Sequence, residues 1–204
     1  TIELDMNKIN KLLIISPYST HKTKYHFEKL IRILGKNDID CKLIDSQDYI
    51  SKFFELKKYG KNKEFEKMVK EVNPDLILLD GHSELIKIII KRNIPFLFLI
   101  RGNFWDEEKW ARKTIATSFR HRLALKRKHM IFEKCIKNAR IIVPISNYLK
   151  EVILEKFPSK KIQVIHMDAR DSDEWTIRNG GKLQHPCVGL LQGAGIWGKT
   201  KEMM

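Results

Sequence analysis

Cysteine is scarce in this sequence: Cys41, Cys135 and Cys187 stand far apart, with no paired spacing. That argues against a disulfide framework or a zinc site and fits a reducing compartment. Long apolar runs are missing too. No stretch is long enough to span a bilayer, and the start carries no signal-peptide pattern. A cytoplasmic protein is expected, with the inner face of the membrane as a place where it could work. Acidic residues are in short supply, with Lys+Arg 39 against Asp+Glu 25 and a net charge of +14. This balance suits an anionic partner such as nucleic acid, a phosphorylated substrate or an acidic membrane. It equally suits a simple bias of a Lys-, Ile- and Asn-rich chain, since net charge carries no information about fold. There is no internal repeat and no low-complexity tract.

What is present is a centre, from Asn73 to Trp105. Leu76–Leu79 is a short apolar run entered through Asn73-Pro74 and left through Asp80-Gly81. Ile94–Ile100 is a second, ending at Arg101-Gly102. Between them Leu85, Ile86, Ile89 and Ile90 recur at helical spacing, and Ser83 is placed to cap that helix. Two apolar strands joined by a helix form a βαβ unit in a parallel sheet buried on both faces. Ligands of such sheets sit beyond the carboxyl ends of the strands. Here those ends carry Asp80, Gly81, His82 and Arg101, Gly102, Asn103.

The rest of the chain repeats the alternation. Lys11–Ser16 is a first buried strand. Phe27, Leu30, Ile31 and Leu34 give one helical face, with Gly35 as its stop. Cys41–Asp45 is a second strand, the span 48–58 is expected to be helical, and Phe65, Met68, Val69 and Val72 mark a further helix ended by Pro74. Ala139–Ser146 is a buried strand with Ser146 capping the helix after it, and Lys160–His166 a further strand. The expected architecture is α/β, a Rossmann-like doubly wound parallel sheet over residues 1–167. Residues 168–185 are polar, contain Gly180-Gly181, and read as a linker. Residues 186–204 open a second strand–loop–helix that stops inside a helical-looking run, so the chain reads as a fragment of a longer protein.

Several residues are candidates for chemistry. The loop after the first strand holds Tyr18, Ser19, Thr20 and His21. It has no glycine, so it is neither a dinucleotide fingerprint nor a P-loop. It is either a substrate-contacting loop or an ordinary helix cap. His82 follows a strand end and is either catalytic or structural. Arg101 ends the most apolar strand, so it should face a carboxylate, a phosphate or the cleft. Trp105, with Asp106, Glu107 and Glu108 after it, could line that cleft; the three acids could equally be the first turn of a helix, complementing its dipole. The strand NPDLILLDGH is similar to a receiver-domain phospho-acceptor strand, but the acid pair that would hold Mg²⁺ after the first strand is absent. Residues 111–140 are dense in Arg and Lys. Ile115, Ser118, Arg122, Leu125, His129, Phe132 and Ile136 share one broad helical face, with Lys113, Arg120, Arg127 and Lys134 elsewhere. Such a helix can lie on an anionic membrane or on phosphates, or simply pack one face on the domain. Few aromatics are interleaved to stack bases, which leaves a non-catalytic nucleic-acid-binding module as a weaker alternative.

The ordered series DLILLDGH, IPFLFLIRG, NARIIVPIS and IQVIHMDA, followed by Gly193-Ala194-Gly195-Ile196-Trp197-Gly198-Lys199-Thr200, resembles the amino-terminal half and domain junction of GT-B glycosyltransferases, closest to the retaining family-4 enzymes. The resemblance implies transfer of a sugar from a nucleotide-sugar to an acceptor hydroxyl with retention, and generally no bound metal or other cofactor. It implies His82 and Arg101 near the reacting atoms. Tyr18, Ser19, Thr20, His21, Gly102, Asn103 and Trp105 would face a glycan or lipid-linked acceptor. Gly193 and Lys199 would face the donor, with Lys199 matching the lysine that stabilises the leaving diphosphate. Three departures stand out: SPYSTHKTK replaces a glycine-rich first loop, Arg101 stands where a histidine is common, and Ala194 where an arginine is expected. A sugar-nucleotide epimerase of the same architecture is a further alternative. The strand Cys187–Gln192, cut off from its own sheet, would offer an edge for self-association.

Overall fold

Residues 9–17, 21–50 and 58–166 are described here from a computed structural model. Runs of Leu and Ile without polar interruption can only be satisfied as strands covered on both faces, and they pair accordingly. The strands are β1 (Lys11–Ser16), β2 (Asp40–Asp45), β3 (Leu76–Asp80), β4 (Phe96–Ile100) and β5 (Ile141–Pro144). All pairings are parallel, in the order β2-β1-β3-β4-β5. The expected Rossmann-like parallel sheet is thus the observed one.

The helices are α1 (His21–Gly35), α2 (Lys58–Val72), α3 (Ile86–Lys91), α4 (Phe104–Thr114), α5 (Phe119–Asn138) and α6 (Asn147–Lys156). From β1 the chain steps one way to β2 and then back across to β3, β4 and β5. Right-handed crossovers therefore put α1 on one face and α2, α3 and α4–α5 on the other. Leu13, Ile15, Ile77, Leu79, Phe98 and Ile100 share one core with Phe65, Ile86, Ile89, Phe132 and Ile136. Their neighbours Leu12, Ile14, Leu76 and Leu78 alternate to the other face.

Local chemistry sets the boundaries. Asn73 (φ 45°) and Pro74 end α2. The stop after α1 lies at Asp38 (φ 59°), three residues past Gly35, which is the last helical residue. Ser83 accepts the Leu85 N–H at 3.3 Å and so caps a turn just ahead of α3, whose own N-cap is Leu85 without a side-chain bond. Ser146 accepts the Leu149 N–H at 3.2 Å and caps α6.

Three expectations need correction. The span 48–58 is not one continuous helix: a 3-10 turn covers Ser46–Tyr49 and Ile50 after it is extended, while residues 51–57 lie outside the described residues. The basic segment is two helices rather than one face. The chain turns at Ile115–Ser118, and Ser118 accepts the His121 N–H to start α5. Lys160–His166 is not a full strand. It meets β5 at the single bridge Ile142–Ile162, with flanking hydrogen bonds from Ile142 N to Lys161 O and from Gln163 N to Ile142 O. The expected linker (168–185) and second-domain start (186–204) lie outside the described residues.

Candidate functional site

Chain order places the reversal of the sheet between β1 and β3, and beside it a pocket opens beyond the carboxyl ends of β3 and β4. Three side chains tie the ends of β1, β3 and β4 together. Asp80, last in β3 and only 6% exposed, accepts a hydrogen bond from the Ser16 hydroxyl at the end of β1. It also accepts both prongs of Arg101, just past β4, with Nε at 2.8 Å and Nη2 at 2.9 Å. A bidentate fork fixes orientation as well as charge. Burial pushes the Asp80 carboxyl up, opposed by the Ser16 hydroxyl and the Arg101 guanidinium. Arg101 itself remains 34% exposed and lies over the Phe27 ring at 5.5 Å.

Beside this clamp is a pocket of about 330 Å³, lined by Pro17, Asp80, His82, Arg101, Gly102, Phe104, Glu107 and Phe132 among others. Gly81 turns the chain from β3 into it with φ 72°, a conformation that disfavours any side chain. At Gly102 a Cβ would meet the Glu107 Oε1 at 2.5 Å, so the absence of a side chain there lets the carboxylate lie close to the backbone. Phe104 and Phe132 stack at 4.0 Å between centroids and form the apolar wall. His82 sits edge-on to both, at 5.5 and 6.2 Å. Burial, with help from Lys128, lowers the His82 pKa to about 4, so the ring is neutral at pH 7. Among the described residues it has no hydrogen-bond partner, which leaves its nitrogens available to a ligand.

The structure therefore brings His82, Arg101 and Gly102 to one pocket. Asn103 stands next to it but does not line it. It caps α4 by accepting the Asp106 N–H at 3.4 Å and donates to the Tyr148 hydroxyl at 2.9 Å. Trp105 turns away, edge-on to Phe132 at 5.3 Å and beside Phe157, with the Lys156 ammonium over its ring. Tyr18, Ser19, Thr20, Gly193 and Lys199 lie outside the described residues. His21 begins α1, and its side chain is likewise outside the description.

Sequence reasoning missed Ser16, Phe104 and Phe132 as parts of the site, and missed Asp80 as the partner of Arg101; of the three acids after Trp105, Glu107 is the one that lines the pocket. One signal was available: opposite charges at the ends of two apolar strands that turn out to be neighbours. Glu108 neither lines the pocket nor stays a solvated first-turn acid. It is buried and binds both Arg112 and His129, whose other ring nitrogen faces Glu133 at 3.1 Å. Burial raises its pKa, yet the hydrogen bonds from Arg112 and His129 outweigh this and hold the carboxyl below its usual range. His129 interrupts the apolar stripe because it serves this α4–α5 network. Among the described residues no three His, Cys, Asp or Glu side chains gather as metal ligands.

A parallel sheet of this order, with a pocket on its carboxyl edge, defines a Rossmann-like α/β domain. Two solved structures similar to it are GT-B-like. The UDP-GlcNAc 2-epimerase from Methanocaldococcus jannaschii aligns with a TM-score of 0.53 at 17% identity, covering 76% of this chain and 45% of that one. The UDP-GlcNAc 2-epimerase from Neisseria meningitidis, bound to UDP-GlcNAc, aligns with a TM-score of 0.51 at 14% identity and the same coverages, 76% and 45%. The chain thus spans less than half the length of these neighbours, and the likeness is one of architecture. No family model and no curated protein matches the sequence.

Proposed function

We propose that this chain is the amino-terminal lobe of a GT-B enzyme acting on a nucleotide-sugar, and that the pocket receives the sugar acceptor. What supports this most is one juxtaposition: a neutral histidine, a carboxylate and an aromatic wall gathered on one strand edge beside the switch point. Such a site offers a sugar an apolar face to lie on and a few converging polar groups to orient its hydroxyls. The proposed reaction is retaining transfer to an acceptor hydroxyl, as the family-4 resemblance implies.

The roles follow from the geometry. As the new glycosidic bond forms, the acceptor hydroxyl loses a proton, and the neutral His82 ring or the Glu107 carboxylate can take it. Arg101 is already neutralised by Asp80, so it is poorly placed to carry the charge of a leaving diphosphate. It acts instead as a strut that holds the Gly102 turn and the pocket rim. Charge on the leaving group falls to Lys199 in this scheme.

The two structural neighbours favour a second reading, sugar-nucleotide epimerisation. There the sugar of the nucleotide-sugar itself would occupy the pocket. One titration separates the two. Ring signals of His82, assigned by comparison with His82→Ala, are followed by NMR as simple glycosides and then nucleotide-sugars are added. Transfer predicts shifts with glycosides alone, saturating in the millimolar range. Shifts with nucleotide-sugars only would favour epimerisation, and no shift with either class would overturn both.

A further inference from the structure

The outer face of α5 carries a second apolar stripe that the core does not use. At about 100° per residue, Phe119, Leu123 and Met130 fall within about 40° of arc on this helix. They lie opposite the buried Phe132, Cys135 and Ile136. Phe119 is 80% exposed, Met130 55% and Leu123 47%; Ile115, in the turn leading into the helix, is 54% exposed. Water gains nothing from such a row, and scattered exposure would not align it on one face.

Charge beside the stripe is predominantly basic. Lys126 and Lys134 border it on its two sides and Arg120 lies beyond Lys134, while the helix's one acidic residue, Glu133, is taken up by His129 and by Lys137, which continues the line of the stripe. An exposed apolar ridge edged by Lys and Arg matches the boundary of an anionic bilayer, where apolar side chains enter the acyl region and cations meet headgroup phosphates. Among the described residues no helix is long and apolar enough to cross a membrane, so contact of this kind is superficial. We infer that the Ile115–Met130 face docks the domain on an anionic lipid surface, with Phe119 and Leu123 as the inserted residues. The inner face of the same helix supplies Phe132 to the pocket, which places the pocket wall and the lipid on two sides of one element. Docking does not depend on the sugar chemistry: vesicles can bind this face whether or not a glycoside binds the pocket.

The test is co-sedimentation of the 204-residue chain with phosphatidylcholine vesicles and with vesicles containing phosphatidylglycerol, at low and high salt. Binding is expected to the anionic vesicles only and to weaken with salt. Phe119→Ser with Leu123→Ser should reduce partitioning at least tenfold. Lys126→Glu with Lys134→Glu should reduce it further than the roughly fivefold that one removed cation gives near such a surface. All four positions are exposed, so thermal unfolding should be unchanged, which separates lost docking from lost folding. Equal binding to both vesicle types, or no binding to either, would overturn the inference. So would a solution dimer that the Phe119→Ser, Leu123→Ser variant dissociates, because a second copy would then cover the face. A salt-sensitive shift of duplex DNA without vesicle binding would assign the surface to nucleic acid instead.

Discussion

At the scale of single residues, the Asp80–Arg101 pair is the feature with most at stake. A buried carboxylate deprived of its cation keeps only the Ser16 hydroxyl as partner, and removing one member of a buried pair is costlier than never having built it. Arg101→Ala should cost about 2–3 kcal/mol in urea unfolding, below the full-burial range because the guanidinium is one-third exposed. Asp80→Asn should cost less, since Arg101 can turn its charge to water. A cost for Arg101→Ala under about 0.5 kcal/mol, the usual range for a surface change, would show that the pair does not hold the strand ends. His82 gives a pH dependence of opposite character. Its pKa is lowered from 6.5 to about 4, so the unfolded chain binds the proton more readily than the folded one. The stability this confers is complete above pH 6.5 and is lost as pH falls toward 4, amounting to about 3 kcal/mol at most. His82→Phe should flatten the pH profile of stability between those limits. An unchanged profile would mean that the ring is more solvated than its surroundings suggest.

At the scale of elements, what could be read in advance depended on whether the signal was local. Strands of unbroken Leu, Ile and Phe, such as Leu76–Asp80 and Phe96–Ile100, announce burial on both faces without reference to anything distant. Ser146 as a helix cap is equally local. The break between α4 and α5 was hidden because Ile115, Ser118 and Arg122 happen to continue a helical spacing across a turn, and only Ser118's competing role as a cap ends it. The Asp80–Arg101 and Glu108–His129 pairs span 21 residues each, and single-sequence periodicity has no access to such partners. The strand edge holding His82 and Arg101 could be named from the sequence, whereas the pocket wall of Phe104 and Phe132 could not. Since Ser118 starts α5, Ser118→Ala should cost about 1 kcal/mol. It should also loosen the α4–α5 joint more than the sheet, seen as faster amide exchange at His121 with little change in β3. Slowed or unchanged exchange at His121 would show that the turn is held by packing instead.

For the molecule as a whole, the order of strands dictates where it should resist opening. β1, β3 and β4 each have a hydrogen-bonded neighbour on both sides, while β2 and β5 stand at the ends of the order. The two ends are not equivalent. β5 is covered along its outer side by the extended residues after α6, through the Ile142–Ile162 bridge and the bond from Ile165 N to Pro144 O. β2 alternates exposed and half-buried side chains up to Leu43, and Ile44 is its one buried residue. Local openings follow the weakest packing, and amides of a central strand exchange only when the domain unfolds globally. Native-state hydrogen exchange should therefore find the slowest amides at Leu13, Ile14, Leu78 and Phe98, with free energies of opening equal to the global value from urea. Amides of β2 should open below that value, and those of β5 should lie between. The Ser16–Asp80–Arg101 clamp sharpens the expectation, because it joins the ends of the three central strands on the side where the pocket lies. In Arg101→Ala the central amides should lose protection together, by the same amount as the global stability. If only amides near Asp80 lost protection, the clamp would be a local fitting of the pocket and the three strands would owe their cohesion to the Leu and Ile core alone.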